Sequence, residues 1–286
     1  MVILIIGIMI AGVSQGIDLY GDFKLASARN LTSGSIVARV PNLSMWWETT
    51  AENSFVNPKP NDGDLINQWN DINSQRAMKI NLFNTSNSDS RPAYKASAIN
   101  NLPALKFSNA QELRSADIKG DSFFSDNEIT VFLVQNTTGG SDSTMSWIPT
   151  TNNLDSGGSE IARFNLHLQH NNVFYFDFRR INSGGRITHE GANAYANKNT
   201  LFSFRRSGAE MSMRLNGQQI KDSSSITGTI SNSNIAPFIV GKMRTGLDYY
   251  NFDGLIGEII IYGNGLGINE IQKIESYLSK KWGIKI

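Results

Sequence analysis

Apolar and polar positions follow three patterns along this chain. From Met1 to Val13 the residues are apolar almost without interruption, relieved by Gly7 and Gly12, and no charge appears before Asp18. From Ile17 to Leu31 apolar positions (Ile17, Tyr20, Leu25, Ala28, Leu31) mix with Asp18, Asp22, Lys24 and Arg29, as on an amphipathic helix. No proline interrupts before Pro41, and Gly34 in "LTSGS" (31–35) offers a left-handed cap. These two stretches predict a long N-terminal helix, hydrophobic and then amphipathic, over 1–35. A hinge follows at 36–43, and a body with a shorter period begins at residue 44.

In the body, "EITVFLVQN" (128–136) is a continuous apolar, β-branched run and reads as a strand buried on both faces. "SEIARFNLHLQH" (159–170) alternates, with Ile161, Phe164, Leu166 and Leu168 on the apolar side. "NNVFYFDFRR" (171–180) follows an Asn-Asn turn. "TLFSFRRSGAEMSMRLNGQQI" (200–220) holds two strands around Ser207-Gly208, and its Asn216-Gly217 is a hairpin signal. "APFIVGK" (236–242) and "GLIGEIIIYG" (254–263) add two more strands. Many short strands with turns between them argue a β-sandwich or jelly roll. One helix closes the chain: Ile271, Ile274, Leu278 and Trp282 share a face that packs on the sandwich. Gly267 and Glu270 start it, Lys280 and Lys281 complement its C-terminal dipole, and Gly283 ends it.

Composition narrows the function. A net charge of +1 gives no footprint for nucleic acid. The absence of cysteine removes a disulfide framework, a thiolate metal site and a Cys nucleophile. The opening run has no Lys or Arg, so it fits a secretory signal poorly. At ~1.5 Å per residue it covers about 20 Å of a core about 30 Å thick, and so reads as the later half of a hydrophobic helix.

Residues 3–35, and "IIGIMIAG" above all, resemble the N-terminal stalk of type IV pilins and of type II secretion pseudopilins. The resemblance implies a helix that anchors in the inner membrane before assembly and then packs against other pilin-like subunits in a filament. Gly12 and Gly16, at G-x-x-x-G spacing, would let helices approach closely there. The family's basic leader, cleavage site and conserved glutamate have no counterpart in this sequence. The body would then be periplasmic or extracellular. A second resemblance rests on "INQWNDIN" (66–73), "RPAYKASAINNLPALKFS" (91–108), "GLIGEIIIYG" (254–263) and the closing helix through "YLSKKWGI" (277–284). It is to the LamG-like, concanavalin A-like jelly roll of bacterial surface proteins, covers nearly all of 44–286, and implies a mainly β sandwich with a C-terminal helix.

Candidate chemistry is sparse. Glucanases of this fold carry E-x-D-x-x-E on one strand, and no Glu here has Asp two residues later, so no enzyme is expected. His167 and His170 lie three apart, which on a regular strand points them to opposite faces, so surface polar roles are expected for them. Asp62, Asp64 and Asp71 around Gly63 could ligate Ca²⁺, the one cofactor the sequence suggests; the alternative is a turn with solvated acids. Trp46, Trp47 and Trp69 are expected in the core. Tyr249 and Tyr250, between two strands, are the preferred contact residues for a glycan or surface-protein ligand. The reading is a pilin-like adhesion protein displaying a LamG-like domain. Its alternatives are a secreted carbohydrate-binding or carbohydrate-active protein and a purely structural pseudopilin.

Overall fold

The computed structural model describes residues 19–56, 59–84, 90–108, 111–139, 143–148, 162–180, 184–230, 235–243 and 250–286. Gly12, Gly16, Tyr249 and the apolar run at 1–13 lie outside them. After helix α1 (19–33) come strands β1 (Leu43–Glu48), β2 (Gln68–Trp69), β3 (Leu82–Phe83), β4 (Ala93–Ile99), β5 (Leu102–Phe107), β6 (Leu113–Arg114), β7 (Ile118–Lys119) and β8 (Glu128–Thr137). Then follow β9 (Ser143–Trp147), β10 (Ala162–His170), β11 (Val173–Arg180), β12 (Arg186–Glu190), β13 (Thr200–Ser207), β14 (Glu210–Leu215) and β15 (Gln218–Ser223). The chain closes with β16 (Ile235–Ala236), β17 (Phe238–Val240), β18 (Gly254–Tyr262) and helix α2 (Ile268–Trp282).

Two antiparallel sheets make a jelly-roll sandwich. The first runs β15-β14-β13-β8-β18-β5-β4, with β1 also on β18; the second runs β12-β11-β10-β9-β17-β6-β3-β2. Apolar residues between them, among them Trp47, Trp69, Val131, Leu133, Phe164, Phe176 and Phe204, form the main core. A second core lies on the outer face of the first sheet, where Phe132, Ile260 and Trp46 meet Ile271, Ile274, Leu278 and Trp282 of α2 and Ala28 of α1. Strand β8 therefore has apolar neighbours on both sides, which is why its sequence lacks alternation. Trp46, Trp47 and Trp69 are buried as expected.

Asn-rich turns set the registers. Asn216-Gly217 (φ 48° and 76°) and Asn171-Asn172 (φ 50° and 64°) close hairpins β14–β15 and β10–β11. Asn100-Asn101 (φ 53° and 57°) does the same for β4–β5. Two successive left-handed residues suit the twist of a tight hairpin.

Strand β18 changes partner along one edge. Its start, Gly254–Ile256, pairs with β5, and its later part, Glu258–Tyr262, pairs with β1. Between them Gly257 is skipped in the pairing with β8. This bulge reverses the alternation: Ile256, Ile259 and Ile261 face the inter-sheet core, while Ile260 and Tyr262 face the helices. Gly257 also seats α2, because a Cβ there would lie 2.7 Å from the Trp282 ring.

The bulge turns Glu258 toward the helix layer, directly opposite Glu48 of β1. Like charges opposite each other repel, and Lys281 resolves the conflict. Its Nζ lies 2.8 Å from Glu48 Oε2 and 2.9 Å from Glu258 Oε2, with all three side chains fully buried. The same ammonium donates to Thr32 Oγ1 of α1 at 2.8 Å. Glu258 also accepts from Trp46 Nε1, Trp282 Nε1 and Tyr277 Oη, each at 2.8 Å. Glu48 accepts from the Thr50 N–H and hydroxyl, both at 2.7 Å, and from the Ala51 N–H. Lys281, expected only to complement the C-terminal dipole of α2, is in addition the charge its inner face buries. A lysine in a last turn reads as solvated unless its partners, here 23 and 233 residues away, are known. A second buried acid of α2, Glu275, takes Arg214 Nε of β14 at 2.8 Å and Ser203 Oγ of β13 at 2.8 Å.

Helix α1 packs Leu25, Ala28 and Thr32 inward and leaves Leu19, Tyr20 and Phe23 exposed at 72%, 53% and 70%. Residues 36–43, expected as a hinge, include a 3-10 turn at Val37–Arg39 and bury Val37 and Val40. Tyr262 Oη donates to Val37 O at 2.8 Å. Among the described residues no helix is long and apolar enough to cross a membrane.

Burial raises the Glu48 carboxyl, but Lys281 and the Thr50 donors bring it below its ordinary 4.5. Burial lowers Lys281, and the two carboxylates more than reverse that, to above 10.5. The Glu48 contribution is therefore complete above about pH 4.5 and lost as pH falls through its lower folded value; that of Lys281 is complete below 10.5 and lost at still higher pH. Lys281→Met, which leaves two buried carboxylates facing each other, is expected to cost about 3–5 kcal/mol in urea unfolding. Trp282→Ala is expected to cost a similar ~3–5 kcal/mol through the cavity over Gly257. An unchanged unfolding midpoint in either variant contradicts the role given to that residue.

Candidate functional site

The outer face of the second sheet carries the densest set of polar and aromatic side chains. On β10 and β11 the even positions Phe164, Leu166, Leu168, Phe174, Phe176 and Phe178 fill the core, so Asn165, His167, Tyr175 and Asp177 face outward. On β12, Ile187 points in, so Arg186 points out beside Asp177. The three-residue spacing of His167 and His170 predicts opposite faces, yet their rings lie 5.6 Å apart. The reason is a register shift between Leu168 and His170 that skips Gln169 and returns His170 to the side of His167. His167 is also buried, at 6% exposure, and so departs from the surface role expected of it.

Tyr250 completes the cluster. Its ring stands 5.0 Å from His167 and 5.3 Å from His170, and Tyr175 lies 6.1 Å and 5.8 Å from the same two rings. Met243 and Ile148 pack beneath Tyr250, and His167 Nε2 is 3.1 Å from Met243 Sδ. Arg186 holds Asp177 with two hydrogen bonds, Nε to Oδ1 at 2.6 Å and Nη2 to Oδ2 at 2.9 Å, and its guanidinium lies 5.1 Å from the centre of the Tyr175 ring. Burial lowers the Arg186 pKa, and the Asp177 hydrogen bonds outweigh it, so the guanidinium titrates above its ordinary value.

Two donors in this cluster have no acceptor. Asn165, fully buried, takes Ser143 Oγ on its Oδ1 at 2.7 Å, while its Nδ2 is unbonded. His170 accepts Asn171 Nδ2 on Nε2 at 3.1 Å, which places its proton on Nδ1, and Nδ1 is buried and unbonded. Buried donors are almost always satisfied by protein, water or ligand. Both N–H groups lie below the solvent-accessible surface, so what the face offers outward is the half-buried rings of Tyr175 and Tyr250, able to lie against an apolar ring face.

The other sequence candidates fall elsewhere. Asp62 accepts Ala96 N at 2.9 Å and sits 3.6 Å from Lys95 Nζ. Asp64 accepts Asn61 N at 2.7 Å and closes the turn at Gly63. Asp71 does not join them: it is buried and accepts three backbone N–H groups, from Trp46 and Ile80 at 3.0 Å and Asn73 at 2.9 Å. Burial still holds its carboxyl above the ordinary range. Its role is to splice the 71–80 segment to β1. Among the described residues no group of three or more His, Asp or Glu is placed to hold a metal ion. Asn165, Tyr175 and Arg186 were not singled out from the sequence. The outward parity of β10 and β11 was the available signal, and pairing identified the neighbours.

No family model matches the chain, and no curated protein does. Several solved structures superpose on part of the chain. A GH54 α-L-arabinofuranosidase soaked with a cyclic sulfate inhibitor superposes with a TM-score of 0.50 at 11% identity, over 76% of this chain and 51% of that one. The Ruminococcus gnavus IT-sialidase CBM40 bound to α2,3-sialyllactose gives 0.44 at 15% identity, over 53% and 83%. Domain 4 of AbnA, a GH43 extracellular arabinanase from Geobacillus stearothermophilus, in complex with arabinotriose, gives 0.44 at 14%, over 75% and 100%. The chain spans about half of the arabinofuranosidase it matches. At these identities the likeness is one of fold.

Burial and the nearby Arg186 charge both lower the His170 pKa. An NMR titration is expected to show a midpoint below the ordinary 6.5, with the neutral ring protonated on Nδ1. A midpoint above 6.5 contradicts the packing described.

Proposed function

We propose that this chain binds carbohydrate through the outer face of its second sheet, without turning it over. The observation that carries the reading is the ring cluster of Tyr250, Tyr175, His167 and His170, with Tyr175 and Tyr250 half-buried at its surface. Sugars present the matching surface, an apolar ring face that packs on an aromatic, with hydroxyls around it for the tyrosine Oη groups. Binding without hydrolysis is supported by the state of the buried acids. Asp177 is clamped by Arg186, and Glu48 and Glu258 by Lys281, so none of the three is positioned as a free acid or nucleophile. This favours the carbohydrate-binding reading of the sequence over that of an adhesive pilus subunit.

A second element concerns display. Leu19, Tyr20 and Phe23 are exposed on a helix whose preceding sequence, 1–13, is apolar and uncharged. We propose that this end anchors the body at the cell envelope, with the sandwich on the periplasmic or extracellular side. Deleting residues 1–18 is expected to move the protein from the membrane to the soluble fraction with the β-sheet circular dichroism and melting temperature of the body retained.

For the site, Tyr250→Ala is expected to weaken binding to glycan-array hits by at least about tenfold in calorimetry, the scale of a lost aromatic contact with its hydrogen bonds. The melting temperature should hold. Release of reducing ends from a bound polysaccharide overturns the non-catalytic reading. Undiminished binding by Tyr250→Ala overturns the assignment of the face.

A further inference from the structure

A separate cavity of about 620 Å³ opens between α1, the 49–56 loop and β4, within the ~300–1,000 Å³ range of small-molecule sites. It shares no lining residue with the ring cluster on the second sheet. Its deep side holds Tyr94, only 2% exposed, whose hydroxyl makes no hydrogen bond among the described residues. Phe55 meets that ring edge-on at 5.5 Å, and Leu25 and Val56 add apolar wall. The charged groups of the lining are Arg29, Glu52 and Lys59. Arg29 is tied to Thr50 O at 2.9 Å and to Glu52 at 3.0 Å; Lys59 has no ion pair among the described residues. The Glu52 side chain is 81% exposed, so its pair with Arg29 opens to a competing anion at little cost.

Apart from the exposed Asn53 amide, the other polar side chains of the lining are already committed. Thr49 Oγ1 donates to Pro103 O at 2.5 Å and Thr50 Oγ1 to Glu48 at 2.7 Å. Asn70 gives its amide to Asn53 O at 2.8 Å and takes that of Gln68 at 2.5 Å. A ligand rich in hydroxyls would bury most of them unpaired, which is costly. A flat apolar ring with one deep hydroxyl and one carboxylate at the mouth meets the open groups and leaves the exposed Asn53 amide to solvent: the hydroxyl on Tyr94, the ring against Phe55 and Leu25, the carboxylate on Arg29 and Lys59.

We propose that this cavity is a binding site for a small hydroxyaryl carboxylate, independent of the carbohydrate face. Burial holds the Tyr94 phenol protonated, with its pKa pushed up to about 12, so it is available as a donor at any ordinary pH.

The test is calorimetry on the full chain with 4-hydroxycinnamate, cinnamate, the neutral 4-hydroxycinnamyl alcohol and galacturonate, with methyl shifts of Leu25 and Val56 followed by NMR. 4-Hydroxycinnamate is expected to bind and to shift those methyls. Cinnamate is expected to bind about 5- to 10-fold more weakly, the scale of one hydrogen bond. Tyr94→Phe should reduce 4-hydroxycinnamate to the cinnamate level and leave cinnamate unchanged, which separates a lost hydroxyl contact from a damaged fold. Lys59→Ala and added salt should weaken the carboxylates and leave the alcohol alone. Tighter binding of galacturonate, equal binding of the alcohol, or no shift at Leu25 and Val56 overturns the proposal. None of these outcomes bears on the Tyr250 face.

Discussion

The ammonium of Lys281 is placed where two buried carboxylates would otherwise face each other across adjacent strands. Much of the architecture converges on that point. Strand β1 supplies Glu48 and the Trp46 indole, β18 supplies Glu258, α2 supplies Lys281, Tyr277 and Trp282, and α1 supplies Thr32. Each carboxylate is surrounded by donors, as buried charge requires if its desolvation is to be offset. A buried ionic group of this kind is weak evidence for net stability. Its stronger consequence is specificity: another register of β1 on β18, or another seat for α2, would strand at least one charge without partners.

The same backbone device prepares both this network and the ligand face. In a regular strand, side chains alternate between faces, so a residue two positions from a core residue is also in the core. At Gly257 the pairing skips one residue, and Glu258 turns from the inter-sheet core to the helix layer. Near Gln169 the pairing skips again, and His170 turns from the side of Leu168 to the side of His167. A one-residue insertion thus puts a carboxylate where a lysine can reach it and an imidazole where a tyrosine can. Gly257 has a second duty, since the Trp282 ring occupies the space a side chain would take.

Helix α1 belongs to two environments. Its Ala28 joins the outer core and its Thr32 the Lys281 network, while Leu25 lines the cavity above Tyr94 and Leu19, Tyr20 and Phe23 are exposed. Arg29 bridges from the helix to the 49–56 loop and sets one wall of the cavity above Tyr94. The helix is therefore a structural part of the body from Leu25 onward.

Periodicity alone determined much of the design: the doubly buried β8, the alternating β10 and β11, the Asn-Gly and Asn-Asn hairpins, the buried tryptophans and the apolar stripe of α2. These follow from local rules, because alternation, turn conformation and helix repeat are properties of neighbouring residues. The jelly-roll sandwich was legible for the same reason. Tertiary structure decided what depended on pairs far apart in the chain. Lys281 read as a complement to the helix dipole and is a buried counterion; Asp71 read as a candidate Ca²⁺ ligand or solvated turn acid and is a backbone splice; His167 and His170 read as opposed and are adjacent. In each case the deciding partner came from another element, or the face was reversed by a skipped residue. Pairing fixes such features, and no residue's own type or its spacing along the strand encodes them.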